Sequence, residues 1–221
     1  SVDTKGMTLK DASNLIKGEL GSVVNLTVFR PAERKKITFD LTRANIMIKH
    51  VPCCDKVDDD GIGYIRITKF SKNTAKDFSE ALNDLKGQGG MKGLVIDLRG
   101  NSGGLLNNAI YILDKLTDRG VNLLTTRGRI DKYNNKERNS RRVPAISPEI
   151  PIAVLINRSS ASASEIVAGV LQDLDRGVIV GTKSFGKGLV QSMFNLNDTT
   201  TLKVTTAKYY TPSGRLIQKE D

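Results

Sequence analysis

The stretch GLVIDLRGNSGG, residues 93–104, contains the clearest structural pattern of this chain. Its first half is an almost unbroken apolar run, which is typical of a strand buried on both faces of a parallel sheet. Its second half is a glycine-rich turn. The apolar residues that follow fall on one face of a helix: Leu106, Ala109, Ile110 and Leu113. The stretch therefore predicts a strand, a tight turn and a helix.

Strands and helices alternate on both sides of this stretch. The predicted elements are strands at 63–68, 121–126, 151–157 and 177–181 and helices at 72–86 and 160–174. On the buried side of the first of these helices we expect Phe78, Ala81, Leu82 and Leu85. This order of elements predicts an α/β (α+β) protein with a mostly parallel sheet and helices packed on it.

The first 43 residues have a different pattern. Residues 8–17 predict a helix that Thr8 caps, and residues 23–30 and 36–41 alternate as two strands do. One helix and two strands in ~45 residues are too few for an independent core. We therefore expect this piece to depend on the rest of the chain or on a segment outside it.

The net charge of +10 raises the question of an anionic partner. Much of this charge lies between Arg127 and Arg142, where seven basic and two acidic residues stand close together. Because no aromatic-rich or recognition-helix pattern accompanies them, the sequence favours a solvated, mobile loop over a nucleic-acid surface. No apolar run approaches the ~18 residues of a membrane span, and no signal-peptide pattern opens the chain.

The cysteines and the histidine give no sign of a metal site. Cys53 and Cys54 are neighbours and lie too close for normal disulfide geometry. With one histidine in the chain, His50, the usual Cys/His zinc spacing is absent. We expect no metal cofactor.

The segment GTKSFGKG, residues 181–188, resembles a nucleotide-binding loop over its first seven positions. At the eighth, Gly188 supplies no hydroxyl for a magnesium ion. Residues 189–196 and 199–207 are rich in β-branched side chains and predict strands, whereas a phosphate site needs a helix there. The sequence therefore argues against a nucleotide, and Lys187 needs another explanation.

Three polar segments follow predicted strands: residues 99–104, 157–165 and 182–188. Because ligand sites of such sheets collect at the carboxyl ends of the strands, we expect these segments to form one site. Ser162 stands at a helix start and fits a capping box S-x-x-E with Glu165, which needs no catalysis. The alternative is a nucleophile, whose oxyanion would be favoured near the positive end of the helix.

A serine nucleophile needs a base, and two residues are candidates. His50 lies in an irregular segment at no strand end, which favours a surface or packing role. Lysine is another known partner of serine, and Lys187 follows the next strand of the sheet. To accept a proton, Lys187 needs its pKa lowered from ~10.4 to about 7 or 8 by burial. The oxyanion amides are expected at Ala163 and at Gly103 or Gly104.

Four segments together resemble the carboxyl-terminal processing proteases, also called tail-specific proteases. They are DLRGNSGG, NRSSASASEIVAGVLQD, VGTKSFGKGLVQ and KYYTPSGRLIQ, and they occur in the family's order. The resemblance implies that Ser162 is the nucleophile, Lys187 the general base and Gln191 the residue that orients the lysine. It also implies oxyanion amides at Ala163 and Gly103.

The resemblance further implies a protease core similar to the crotonase fold over residues 44–221, which needs neither metal nor nucleotide. Residues 1–43 resemble the second half of a PDZ domain, whose first strands and carboxylate-binding loop are not among these residues. The implied partners are proteins or peptides with flexible apolar C-terminal tails, and not nucleic acid. The implied location is extracytoplasmic, in the bacterial periplasm or cell envelope. Membrane association through a segment N-terminal to this chain, and oligomerisation, stay open.

Two other functions are weighed against a peptidase. A catalytically inactive scaffold that binds peptide tails would use the groove-like N-terminal helix without turnover. A nucleic-acid binder has only the basic tract in its favour.

Overall fold

The computed structural model describes residues 2–46, 48–57 and 60–219. Asp58 and Asp59, in the segment that the sequence leaves irregular, lie outside the described residues. The chain divides into two compact units, Ser1–Ile48 and Lys49–Asp221. No helix of the described residues is long and apolar enough to cross a membrane.

The first unit has one helix and two strands, as predicted. Helix α1 (Leu9–Ile16) is capped by Thr8, whose hydroxyl oxygen accepts a hydrogen bond from the Asp11 N–H at 3.2 Å. Strands β1 (Val23–Arg30) and β2 (Lys35–Thr42) pair antiparallel over their full lengths. None of the residues of these three elements is buried, which fits a piece too small for a core of its own.

The second unit contains nine strands and three helices among the described residues. The strands are β3 (Cys53–Lys56), β4 (Ile62–Arg66), β5 (Gly93–Asp97), β6 (Asn122–Arg127), β7 (Lys136–Asn139), β8 (Ile152–Ile156), β9 (Val178–Gly181), β10 (Leu189–Asn195) and β11 (Thr201–Tyr210). The helices are α2 (Thr74–Gly87), α3 (Leu106–Leu116) and α4 (Ala163–Asp173).

A five-stranded sheet in the order β3-β4-β5-β8-β9 forms the centre of this unit. Its three pairings from β4 to β9 are parallel, so the predicted mostly parallel sheet is confirmed. Strand β3 adds an antiparallel edge that the sequence did not indicate. It has only four residues and no apolar run, so the turn signal Asp60-Gly61 that follows it was not enough to indicate a strand.

A second, antiparallel sheet has the order β10-β11-β6-β7. The sequence groups residues 121–126 with the parallel strands, and that grouping is wrong, because β6 pairs with β11 and β7. Leu123 and Leu124 are both buried, and such a short apolar run does not reveal which sheet it joins. The basic tract also differs from the expected loop, since it contains β7, an edge strand with every residue exposed. Charged residues are a usual protection for such an edge.

The helices cover the sheet as predicted. In α2 the four residues expected on its buried side are all buried, and α3 packs Ala109 and Leu113 into the same core. In helix α4 every residue from Ala163 to Leu171 is buried, and only the last two residues are not. A helix held on all sides fixes the position of its first turn, where the candidate nucleophile lies.

Asp97 ends β5 and is fully buried. Its carboxylate accepts hydrogen bonds from the Tyr64 hydroxyl at 2.6 Å and from the Arg99 main-chain N–H at 2.9 Å, and forms an ion pair with the Arg99 guanidinium. Burial alone would raise the pKa of Asp97, but the hydrogen bonds from Arg99 and Tyr64 outweigh it and lower the pKa to about 2. The charged carboxylate therefore stabilises the turn that follows β5.

Because the pKa of Asp97 is lower in the folded than in the unfolded state, its stabilisation is present above pH ~4 and is lost as the pH falls toward 2. We expect this group to contribute up to about 2 kcal/mol to the free energy of unfolding. Denaturant titrations at pH 6, 4 and 3 measure it. The Asp97→Asn variant should be less stable at pH 6 and lose less between pH 4 and 3; equal losses in both proteins would contradict the assignment.

Candidate active site

The turn after β5 and the loop after β8 meet at the carboxyl edge of the central sheet. A Cβ placed on Gly103 would lie 2.8 Å from the Ser162 Cβ and 3.0 Å from the Ala163 nitrogen. Gly103 also has φ +97°, where side chains are strained. Two of the three segments predicted to form a site are therefore in direct contact.

Asn101 ties these segments together. It is fully buried, and its main-chain oxygen accepts hydrogen bonds from the Ala161 N–H at 3.0 Å and the Ser164 hydroxyl at 2.9 Å. Its side-chain oxygen accepts the Gly103 N–H at 2.8 Å, and its amide group donates to the Ile67 oxygen at 2.9 Å. One asparagine thus links the ends of β4, β5 and β8.

Ser162 has a strained main chain immediately before α4. Its φ of 56° and ψ of −112° lie outside the regions that residues other than glycine usually adopt. Such a conformation costs about 1–3 kcal/mol and persists only where the surroundings hold it. Ser162 is partly exposed, whereas Ala161 and Ala163 on either side are buried.

Two further serines of this loop, unlike Ser162, are buried and have structural roles. Ser160 and Ser164 are both fully buried. The Ser160 hydroxyl donates to the Leu98 oxygen at 2.8 Å, and Ser164 donates to Asn101. Both hydroxyls are therefore engaged in hydrogen bonds to the main chain. Ser162 differs from these two serines in having a strained main chain and a partly exposed side chain.

Two main-chain N–H groups beside Ser162 have no acceptor among the described residues. The first belongs to Ala163, at the start of α4, where helix N–H groups lack intrahelical partners. The second belongs to Gly104, whose neighbours Gly103 and Leu105 bond to Phe70 instead. The Gly103 N–H itself donates to Asn101.

The main chain of Lys187 is connected to the serine loop through hydrogen bonds to Glu165. The Lys187 N–H donates to Glu165 Oε2 at 2.8 Å, and the Ser162 N–H donates to the same oxygen at 2.7 Å. The main-chain nitrogens of Ser162 and Lys187 are therefore no farther apart than the sum of these two distances. The flexible four-carbon side chain of a lysine is long enough to span that separation. Lys187 is partly buried, and its Nζ has no hydrogen-bond or ion-pair partner within residues 2–46, 48–57 and 60–219.

The structure does not join Gln191 or His50 to Ser162 by a hydrogen bond. Gln191 is exposed on β10, opposite a β-bulge in β11, and within the described part of the chain its carboxamide has no partner. The His50 oxygen accepts the Thr68 N–H at 2.9 Å, and its Nδ1 lies 3.5 Å from the Thr68 hydroxyl. His50 thus packs against the segment after β4, which fits the packing role favoured by its place in the sequence.

Sequence reasoning missed part of this site. It considered Glu165 only as a helix cap, and the capping box is indeed present. It gave no role to Asn101, because an asparagine in a glycine turn is ordinary turn chemistry. Among the described residues, no group of three or more His, Cys, Asp or Glu side chains is placed to hold a metal ion.

A strained serine at a helix N-terminus, against a glycine turn and beside unpaired main-chain N–H groups, is the arrangement in which serine hydrolases hold a nucleophile. Comparison with known proteins agrees with this class. Residues 61–221 match the model of Peptidase family S41. The chain belongs to that family.

Relatives of known name cover nearly all of this chain. The carboxy-terminal-processing protease of Bartonella bacilliformis is 42% identical over 216 residues, which are 96% of this chain and 48% of that protein. The carboxy-terminal processing protease CtpB of Bacillus subtilis is 34% identical and covers 100% of this chain and 46% of its own length. The chain thus spans about half the length of the curated relatives it matches.

A solved structure shows the same fold. A photosystem II D1 C-terminal processing protease, 34% identical, superposes with a TM-score of 0.68 over 97% of this chain and 57% of its own. The predicted protease core therefore has the fold of this family.

The contact at Gly103 can be tested by adding one methyl group. In Gly103→Ala the new Cβ would collide with the Ala161 oxygen and the Ser162 Cβ, so the serine loop must move. We expect labelling of Ser162 by a fluorophosphonate probe to slow by about 100-fold, because small displacements of reacting groups have effects of that size.

Gly100→Ala is the matched control. Gly100 lies in the same turn with φ +76°, but an added Cβ meets nothing within 4 Å. Both variants carry backbone strain, and only Gly103→Ala carries the collision. Equal labelling rates in the two variants would show that the contact with Ser162 has no influence on its reactivity.

Proposed function

We propose that this chain is the catalytic part of a serine endopeptidase that cleaves proteins near their C-terminus. Ser162 is the nucleophile and Lys187 the general base. The observation that carries this proposal is the pair of hydrogen bonds from the Ser162 and Lys187 main chains to one oxygen of Glu165, beside a strained serine. The names of the relatives, which are C-terminal processing proteases, give the substrate class.

The reaction follows from these roles. The uncharged amine of Lys187 takes the proton of the Ser162 hydroxyl as the Ser162 oxygen bonds to the scissile carbonyl carbon. The resulting ammonium gives that proton to the leaving amine as the carbon–nitrogen bond breaks, which leaves an acyl-enzyme. Water, deprotonated by the same amine, then attacks the ester, and the serine regains its proton.

The oxyanion formed in both steps needs N–H donors aimed at one point. Ala163 supplies the first, since its N–H is unpaired among the described residues. The turn after β5 supplies the second. The residues alone left Gly103 or Gly104, and the resemblance implied Gly103. The Gly103 N–H already donates to Asn101, whereas the Gly104 N–H has no acceptor among the described residues and is the better donor in this arrangement.

Gln191 is proposed to orient the Lys187 amine. The two residues are four positions apart, and the register places the extra residue of the bulge on β11, so β10 keeps its regular alternation. Gln191 lies on β10, and Lys187 lies two positions before the first residue of that strand, Leu189. A carboxamide there can accept a hydrogen bond from the lysine.

The remaining proposals concern the whole protein. Residues 1–43, one helix and a strand pair, are proposed as the second half of a PDZ domain that receives flexible apolar substrate tails. An extracytoplasmic location is proposed from the bacterial relatives, while relatives in chloroplasts show that the family is not confined to bacteria. No observation favours the inactive scaffold, and the basic tract provides an edge strand rather than a recognition helix.

Replacement of either residue of the dyad tests the mechanism. We expect Ser162→Ala and Lys187→Ala each to lower the cleavage rate of a peptide with an apolar tail by at least about 1,000-fold, since each removes an essential group. The measurement is the initial rate of peptide cleavage, with folding checked by circular dichroism.

Lys187→Arg separates a base from a simple positive charge. Arginine keeps the charge but does not lose its proton near neutral pH, so this variant should be as inactive as Lys187→Ala. Activity near wild type in any of the three variants would refute the dyad.

A further inference from the structure

Glu165 does more than cap helix α4. It is 6% exposed, and its carboxylate accepts four hydrogen bonds. Oε2 accepts the N–H groups of Ser162 and Lys187, at 2.7 and 2.8 Å. Oε1 accepts the Ser184 hydroxyl at 2.7 Å and the Gly186 N–H at 2.5 Å. Three of the four donors therefore lie in the segment that carries Lys187.

The chemistry of these contacts requires a carboxylate. Main-chain N–H groups can only donate, and an ionised carboxylate offers about four acceptor sites on two oxygens. A neutral amide in the same place has one acceptor oxygen and two N–H donors of its own. A buried charge is tolerated when its hydrogen-bonding capacity is used, and here Ser162 and residues 184–187 together supply four donors.

A capping box explains only the contact with the Ser162 N–H. The three contacts with residues 184–187 are additional, and they come from a segment that follows a different strand, β9. The other main-chain ties of this segment are the Phe185 N–H to the Ser160 oxygen at 3.0 Å and the Lys219 N–H to the Gly186 oxygen at 2.9 Å. Neither involves Lys187 or Ser162, so Glu165 is the direct connection between them.

We propose that Glu165 is a positioning residue that sets the separation of the Ser162 hydroxyl and the Lys187 amine. This inference rests on the proposed function. The carboxylate joins the main chain of the nucleophile to the main chain of the base, so a shift of either is transmitted to the other. Glu165 need not touch the substrate to act in this way.

A cavity gives the loop room to move when this connection is lost. The cavity, of about 640 Å³, lies between α4 and the segments 181–186 and 211–219, and Glu165, Ser184 and Gly186 all line it. Neither Ser162 nor Lys187 lines it. Without the carboxylate, residues 184–187 can move into this space and carry the lysine away from the serine.

The test is Glu165→Gln in residues 1–221, which keeps the side-chain shape and removes acceptor capacity. We expect kcat for peptide cleavage to fall by about 100-fold with KM little changed, because a displacement of about 1 Å between reacting groups has an effect of that size. We also expect the main-chain amides of residues 184–188 to exchange with deuterium faster, measured by mass spectrometry. A purely structural cap would alter exchange in α4 instead.

Asp114→Asn is the matched control. Asp114 is a buried carboxylate on α3 that accepts the main-chain N–H groups of Arg141 and Arg142, so it holds a loop of the second sheet in a similar way. Loss of the Asp114 carboxylate should lower the free energy of unfolding. It should leave kcat, and the deuterium exchange of residues 184–188, unchanged. Glu165→Asp is the second variant should Glu165→Gln fail to fold: it keeps the charge but is one methylene too short for all four donors, so kcat should fall here too.

The outcomes separate this inference from the proposed function. If Ser162→Ala and Lys187→Ala are inactive while Glu165→Gln or a folded Glu165→Asp keeps the wild-type kcat, the positioning role is wrong and the dyad stands. If Ser162→Ala or Lys187→Ala keeps wild-type activity, the proposed function fails and the positioning role fails with it. A fall in kcat that Asp114→Asn reproduces would also overturn the positioning role.

Discussion

The close contact between the glycine turn after β5 and the serine loop after β8 is the constraint on which the site depends. The two strands are parallel neighbours, so their carboxyl ends meet. Gly103 has no side chain and the approach to Ser162 leaves no space for one. Buried Asn101 bonds to both segments and so holds the turn against the serine loop. Its hydrogen bonds to Ala161 and Ser164, on either side of Ser162, also support the strained conformation of Ser162. The proposed nucleophile thus lies close to main-chain N–H groups that have no acceptor in the described part of the chain.

Glu165 extends this constraint to a third segment. Its carboxylate accepts a hydrogen bond from the N–H of Ser162, at the start of α4, and another from the N–H of Lys187, in the loop after β9. The strand order explains why one side chain can do this, because β9 pairs with β8 and the loops that follow them are neighbours. Two buried polar side chains, Asn101 and Glu165, thus connect three short segments that follow three different strands.

Much of this could be predicted from the sequence. The apolar runs and the helix periods identify α2, α3, α4 and the parallel strands, and the glycine and serine segments at the strand ends identify the site. What failed was the choice of sheet for β6, because its partner β11 is far away in the sequence. The strands β3 and β7 were missed because each has four residues and no apolar run. The second role of Glu165 also could not be seen, since a capping box accounts for the residue without its contacts to residues 184–187.

A crystal structure of this chain with a phosphonate bonded to the Ser162 oxygen would measure the geometry of the proposed dyad directly. We expect the phosphonate oxygen to accept hydrogen bonds from the Ala163 N–H and from the turn after β5, and Lys187 Nζ to lie about 3 Å from the Ser162 oxygen. A structure in which Lys187 Nζ points to solvent, with residues 184–187 still bound to Glu165, would contradict it.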